Sequence, residues 1–190
     1  MRFRLCEGLL IQTIFILLSK VHVTQNARGH KLSLQLQRVE CRIYDESSIK
    51  SLNCSLRRDN ITKEMVLDAD LTLAQQINNV KCKNTIVFER NGVTHKFHEL
   101  EVDICQALSQ RFDFYLFRLI LDEVHRVTNL PLQCPLEKDF QYYLRSFTLN
   151  SKDFPQFLPN MKWSCYNNFS TGKRLGMTFD VFGSLTRIKG

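Results

Sequence analysis

The sequence predicts a mainly β fold interrupted by one helical segment. Three observations carry this. In "MVLDADLTL", Met65, Leu67, Ala69, Leu71 and Leu73 alternate with Val66, Asp68, Asp70 and Thr72, and Leu175, Met177, Phe179, Val181, Gly183 and Leu185 repeat the pattern near the end. Alternation of period two is the mark of a strand with one face on a core. Asn91-Gly92 lies between two strand-like runs, "TIVFER" and "VTHKFHELEV". That dipeptide supplies the two positive-φ residues of a tight hairpin turn. Between Asp103 and Val127 the period changes: Leu108, Phe112, Tyr115, Leu116, Leu119, Ile120 and Val124 recur at spacings of three and four, one apolar stripe of a helix or of two short ones.

In chain order, residues 1–24 read as a signal peptide. Arg2 and Arg4 precede the ten-residue apolar run Leu9–Leu18, which Lys20 ends. A spanning helix needs ~20 apolar residues, so the run is too short to cross a membrane. No small-x-small pattern marks the cleavage point, which falls between Ser19 and Ala27. Residues 25–190 then form a single domain. In the first strand Leu32, Leu34 and Leu36 share one parity and Val39, Cys41 and Ile43 the other, so a break or bulge is expected at Gln37-Arg38. The 65–73 strand should face its core with Leu67, Leu71 and Leu73 and turn Asp68 and Asp70 to water. Ile86 and Phe88 lead into the hairpin and Phe97 leads out. Asp103 is placed to cap the helix, and Asn129 and Pro131 to close it. Leu108, Phe112, Leu116 and Leu119 should face the sheets.

Cysteine usage points to an oxidising compartment. Of the seven cysteines, Cys6 lies in the leader, which leaves an even six. Asn53, Asn60 and Asn168 begin glycosylation sequons, the first with a cysteine at its middle position. The formal charge is +7. Removing Arg2, Arg4, Lys20 and Glu7 leaves 23 basic and 18 acidic residues. The basic residues are scattered and not interleaved with aromatics, so no nucleic-acid partner is expected. The protein reads as secreted and extracellular.

No catalytic set is expected. Cys105 lacks a nucleophile context, and a bonded cysteine cannot be a thiolate nucleophile. The cysteines are too far apart for structural zinc. His95 and His98, three apart on a strand, should point to opposite faces, so neither metal nor cofactor is expected. The pairs Glu99/Glu101 and Asp68/Asp70 each share one strand, whereas glycosidase carboxylates come from separate segments. Cys105 and Cys134 flank the helical segment and would pin it as a structural staple.

"VDIC", followed about 29 residues on by "CP", with Asn-Gly before it and a Cys pair upstream, resembles a large insect family of secreted proteins of unknown function that includes the CheB-type chemosensory proteins. That family is related to the ML lipid-recognition proteins and the ganglioside activator protein. The resemblance spans roughly 39–185 and includes "FPQFLPNMKWSCYNN" and "FDVFGSL". It implies an immunoglobulin-like (ML-type) two-sheet β-sandwich with one helical insertion, its sheets splayed to hold an apolar ligand. It also implies pairs Cys41–Cys54 and Cys105–Cys134. Cys82 and Cys165 are additions to the pattern and are expected to bond each other. Six cysteines allow fifteen pairings, and the alternative is Cys41–Cys165 with Cys54–Cys82.

The function expected is a secreted, non-enzymatic binding protein for a hydrophobic small molecule or lipid in contact chemosensation, with a membrane receptor or channel as a further partner. The alternative is a secreted protein-interaction module with a filled core. Residues on the apolar parity of the recognisable strands are the candidates to line a cavity: Leu67, Leu71, Leu73, Ile86, Phe88, Phe97, Trp163, Met177, Phe179 and Val181.

Overall fold

Two antiparallel sheets form because nearly every strand carries one apolar parity that must be covered. The computed structural model describes residues 30–109 and 115–189; the signal peptide expected at 1–24 lies outside them. Lys31–Lys189 make one compact unit. The strands are β1 (His30–Ile43), β2 (Ile49–Arg58), β3 (Met65–Leu73), β4 (Lys81–Arg90), β5 (Val93–Asp103), β6 (Gln141–Phe147), β7 (Met161–Thr171) and β8 (Arg174–Lys189). One sheet has the order β1-β8-β7-β4-β5 and the other β2-β3-β6. The mainly β, two-sheet architecture with a helical insertion stands as expected.

The hairpin forms at the expected dipeptide. Arg90 pairs with Val93, and Asn91 and Gly92 have φ of 53° and 76°. A bulge interrupts the same hairpin: Ile86 pairs with His98 but Val87 with Lys96, so Phe97 is an extra residue. This corrects the histidine assignment. His98 opposes Ile86 and His95 opposes Phe88, so both sit on one face, because the inserted residue cancels the strand alternation. In β1, Leu36 and Val39 are three apart yet pack into one cluster, which requires the expected break in phase. In β3 the expected core residues Leu67 and Leu73 are buried, and so is Val66, which alternation assigns to the outer face.

The helical segment consists of two short helices, α1 (Ile104–Ser109) and α2 (Tyr115–Val127). Asp103 caps the first, its Oδ1 accepting the Gln106 N–H at 3.1 Å. Leu108 is buried and Leu119 half-buried. Phe112 and the side chain of Leu116 lie outside the described residues. α2 lies on β6: Ile120, Val124 and Val127 join the core there, and Asn129 receives the Tyr143 N–H at 2.7 Å while donating to the Gln141 carbonyl at 2.9 Å.

Two disulfides match expectation. Cys41–Cys54 has Cα atoms 6.2 Å apart and ties β1 of one sheet to β2 of the other. Cys105–Cys134, 5.4 Å apart, ties α1 to the segment before β6. The third pairing is overturned: Cys82 and Cys165 are free thiols. On the neighbouring strands β4 and β7, Cys82 opposes Phe169 and Cys165 opposes Ile86. The two are therefore offset by four positions, ~13 Å along the strands, beyond the ~7 Å a disulfide spans. The alternative pairing falls with the Cys41–Cys54 bond.

Candidate functional site

The ten candidate lining residues do not gather in one place. Leu73 and Met177 are buried in a cluster with Ile49, Val80 and Leu108, and Leu71 packs against it. Leu67 and Val181 are buried in a second cluster with Leu36 and Phe147, and Trp163 and Phe179 pack against that one. Ile86, Phe88 and Phe97 stand beyond both, on β4 and β5. Phe88 and Phe97 contact each other with ring centroids 5.0 Å apart, and Phe97 is 51% exposed.

Trp163 connects the aromatic pair to the second cluster. It opposes Phe88 on one side and Gly183 on the other. A Cβ at residue 183 would sit 2.3 Å from Cζ2 and 2.5 Å from Cε2 of the indole, and 2.4 Å from the Gln35 carbonyl. Only glycine leaves room for the ring to lie flat across β8. The indole Nε1 is buried without a hydrogen-bond partner. An unpaired buried donor costs ~1–3 kcal/mol, so this part of the inner face is apolar with one unused polar atom.

A polar strip adjoins it. Buried Asn84 donates from Nδ2 to Asn167 Oδ1 at 2.7 Å and to Cys165 Sγ at 3.1 Å, and Asn167 donates to the Phe179 carbonyl at 2.7 Å. Burial pushes the Cys82 thiol up to about 12 and raises Cys165 as well. Neither is a nucleophile at neutral pH. The sequence alone does not reveal this strip, because pairing Cys82 with Cys165 would close it. The Asn84–Asn167 bond depends on the β4–β7 register, which alternation leaves open.

The carboxylate pairs are held in ion pairs. Asp68 binds Arg57 at 2.5 Å, Asp70 binds Arg145, Glu99 binds Lys83 and Lys96, and Glu101 binds Lys81. Among the described residues no group of three or more His, Cys, Asp or Glu is placed to hold a metal. Two depressions lie outside the candidate set. An open one of about 620 Å3 is lined by Asp45, Ser48, Gln75, Thr171, Lys173 and Arg174. Another, about 410 Å3, lies between α2 and the 148–154 segment and includes Leu119, Leu149 and Phe154. In the first, Asp45 accepts from the Ser47 and Ser48 hydroxyls at 2.5 and 2.8 Å, which holds its carboxyl below its usual range. The three sequon asparagines, Asn53, Asn60 and Asn168, are all exposed.

Residues 82–165 match the model of a family described as a protein of unknown function, DUF1091. The match begins and ends at the two free cysteines and contains the hairpin, "VDIC" and "CP". No curated protein matches. Among solved structures, the crystal structure of chicken MD-1 complexed with lipid IVa is similar with a TM-score of 0.37 and 14% identity, over 81% of this chain and 97% of that one. At that level nothing is carried over from it.

Proposed function

We propose that this domain is an exported, non-enzymatic binding protein for a hydrophobic small molecule or lipid. The ligand would lie between the two sheets against Phe88, Phe97 and Trp163, next to the second core cluster. One observation carries the reading: these three aromatic residues occupy the inner face of the five-stranded sheet, yet Phe97 is half exposed and the Trp163 N–H has no partner. Large rings left partly uncovered beside a core suit an apolar guest at ~25 cal/mol per Å2 of buried area. Two disulfides and the exposed sequon asparagines Asn60 and Asn168 support export and glycosylation, whereas Asn53 precedes the bonded Cys54, a poor acceptor context. A contact-chemosensory role with a membrane receptor or channel, as the insect family resemblance implies, belongs to the same proposal.

The test is displacement of a fluorescent fatty-acid probe from the purified, folded protein at low and high ionic strength. Saturable displacement that changes little with salt is expected, because no charge pairing is required. A second reading has its own support. Leu67, Leu73, Met177 and Val181 are buried in packed clusters, as in an interaction module with a filled core. Folded protein that shows no saturable displacement would favour that reading instead.

A further inference from the structure

One end of the five-stranded sheet combines exposed apolar side chains with an excess of positive charge. β4 and β5 meet there at the Asn91-Gly92 turn, β4 ends opposite the start of β7, and β7 starts opposite the end of β8. β1 begins at the same end, since its last residues lie at the start of β8, with the Tyr44 N–H on the Gly176 carbonyl. Within 30–34, 88–97, 161–163 and 185–188 the basic residues are Lys31, Arg90, Lys96, Lys162 and Arg187, all exposed, against Glu89 alone. Glu99 lies one step further in and engages Lys96 at 3.0 Å. The opposite end of the sheet is balanced. Within 43–48, 79–83, 101–105 and 170–176, Lys81, Lys83, Lys173 and Arg174 face Asp45, Glu46, Glu101 and Asp103.

The basic end also carries the apolar residues. Val93, Phe97 and Ile188 are 53%, 51% and 49% exposed, and Phe157 is 77% exposed. The Phe157 loop is fastened to this end because the Arg187 guanidinium donates to the Phe157 and Leu158 carbonyls at 2.6 and 3.0 Å. Phe157 therefore projects from an anchored backbone.

We infer that this end docks on an anionic lipid bilayer, with Lys31 and Arg90 at the headgroups and Phe157 and Val93 entering the interface. Cations near such a surface are attracted by its potential, and aromatic side chains partition into the headgroup region. An acidic polysaccharide would account for the cations but not for the projecting Phe157 ring. Docking needs no internal ligand, so its test is separate from that of ligand binding.

The test is flotation of the purified protein with phosphatidylcholine vesicles, with and without about one-third phosphatidylserine. Binding is expected to the serine-containing vesicles and to weaken with salt. Replacing Lys31→Gln and Arg90→Gln together should lower the affinity roughly 30-fold. Phe157→Ser should lower it on the order of tenfold. Lys173→Gln with Arg174→Gln removes the same charge from the opposite end and should change binding less than about twofold. Equal binding to both vesicle types, or none to either, overturns the inference. So does an equal loss from the Lys173/Arg174 pair, or a Phe157→Ser variant that binds as the parent does. An unchanged circular-dichroism spectrum and melting curve identify the variants as folded.

Discussion

The two ends of the sandwich are built differently. At the end where β4 starts and β5 stops, Cys105–Cys134 joins α1 to the chain before β6, and Cys41–Cys54 joins the sheets nearby. The first core cluster lies there, with Ile49, Leu73, Ile77, Leu108 and Tyr142 buried together. At the other end neither disulfide is present. Leu32 and Leu185 are buried on the β1–β8 side, while on the β4–β5 side Phe97 and Val93 face solvent. A disulfide and a dense cluster stabilise the fold, whereas partly covered rings contribute less to it. The second core cluster, with Leu67, Phe147 and Val181 buried, packs toward that end, so the asymmetry lies in the disulfides and in the uncovered β4–β5 side, which is left to make contacts.

The largest expected effect comes from breaking the rigid end. Replacing Cys105 and Cys134 with serine opens a 29-residue separation and should cost about 3–4 kcal/mol of stability by denaturant titration. If the loss is below about 1 kcal/mol, the staple does not distinguish the ends. Two truncations give a direct contrast. Leu73→Ala, at 1% exposure, should cost about 3 kcal/mol, and Phe97→Ala less than about 1 kcal/mol. Equal losses would mean that Phe97 is a core residue and the β4–β5 side is closed.

A third variant probes the boundary between the ends. Gly183→Ala forces a methyl into the Trp163 ring and the Gln35 carbonyl and should cost about 2–3 kcal/mol, with a change in tryptophan fluorescence. An unchanged emission spectrum would mean the indole does not lie across β8. The smallest effect belongs to Asp45. Its folded carboxyl is held below the ordinary value of 3.8, first by the Ser47 and Ser48 hydroxyls and then by the Ser47 amide and Arg174. A depressed carboxyl contributes stability that is present above 3.8 and lost as the pH falls through the folded value. Acid titration of Asp45→Asn should therefore show a shallower loss below pH 3.8 than the parent. Coincident acid curves would remove Asp45 from the rigid end's support.

Much of the fold was legible because its signals are local. The Asn91-Gly92 turn needs only two positive-φ residues, Asp103 needs only the amide three residues on, and Cys105 and Cys134 flank the segment they staple. The site was less legible. Its ten candidates share a parity, but parity says which face a side chain occupies and not how far along the sheet it sits. Leu73 and Phe97 therefore looked equivalent, although one is in the packed cluster and the other at the uncovered edge. The Cys82–Cys165 pairing rested on the two being left over from an otherwise paired set: a count carries no information on register, and an offset of four positions separates the two cysteines.

Strand alternation, the hairpin and the helix cap were thus set by the sequence itself, through backbone preference and short-range spacing, while the two disulfides were expected from the family resemblance. The register of β4 against β7, the bulge at Phe97 and the fit of Trp163 over Gly183 were decided by tertiary structure, as was the gathering of Lys31, Arg90, Arg187 and Phe157 at one end. The physical reason is distance along the chain. These features depend on which residues of remote strands come to lie opposite one another. That choice minimises the free energy of the whole packed sandwich and not of any single segment.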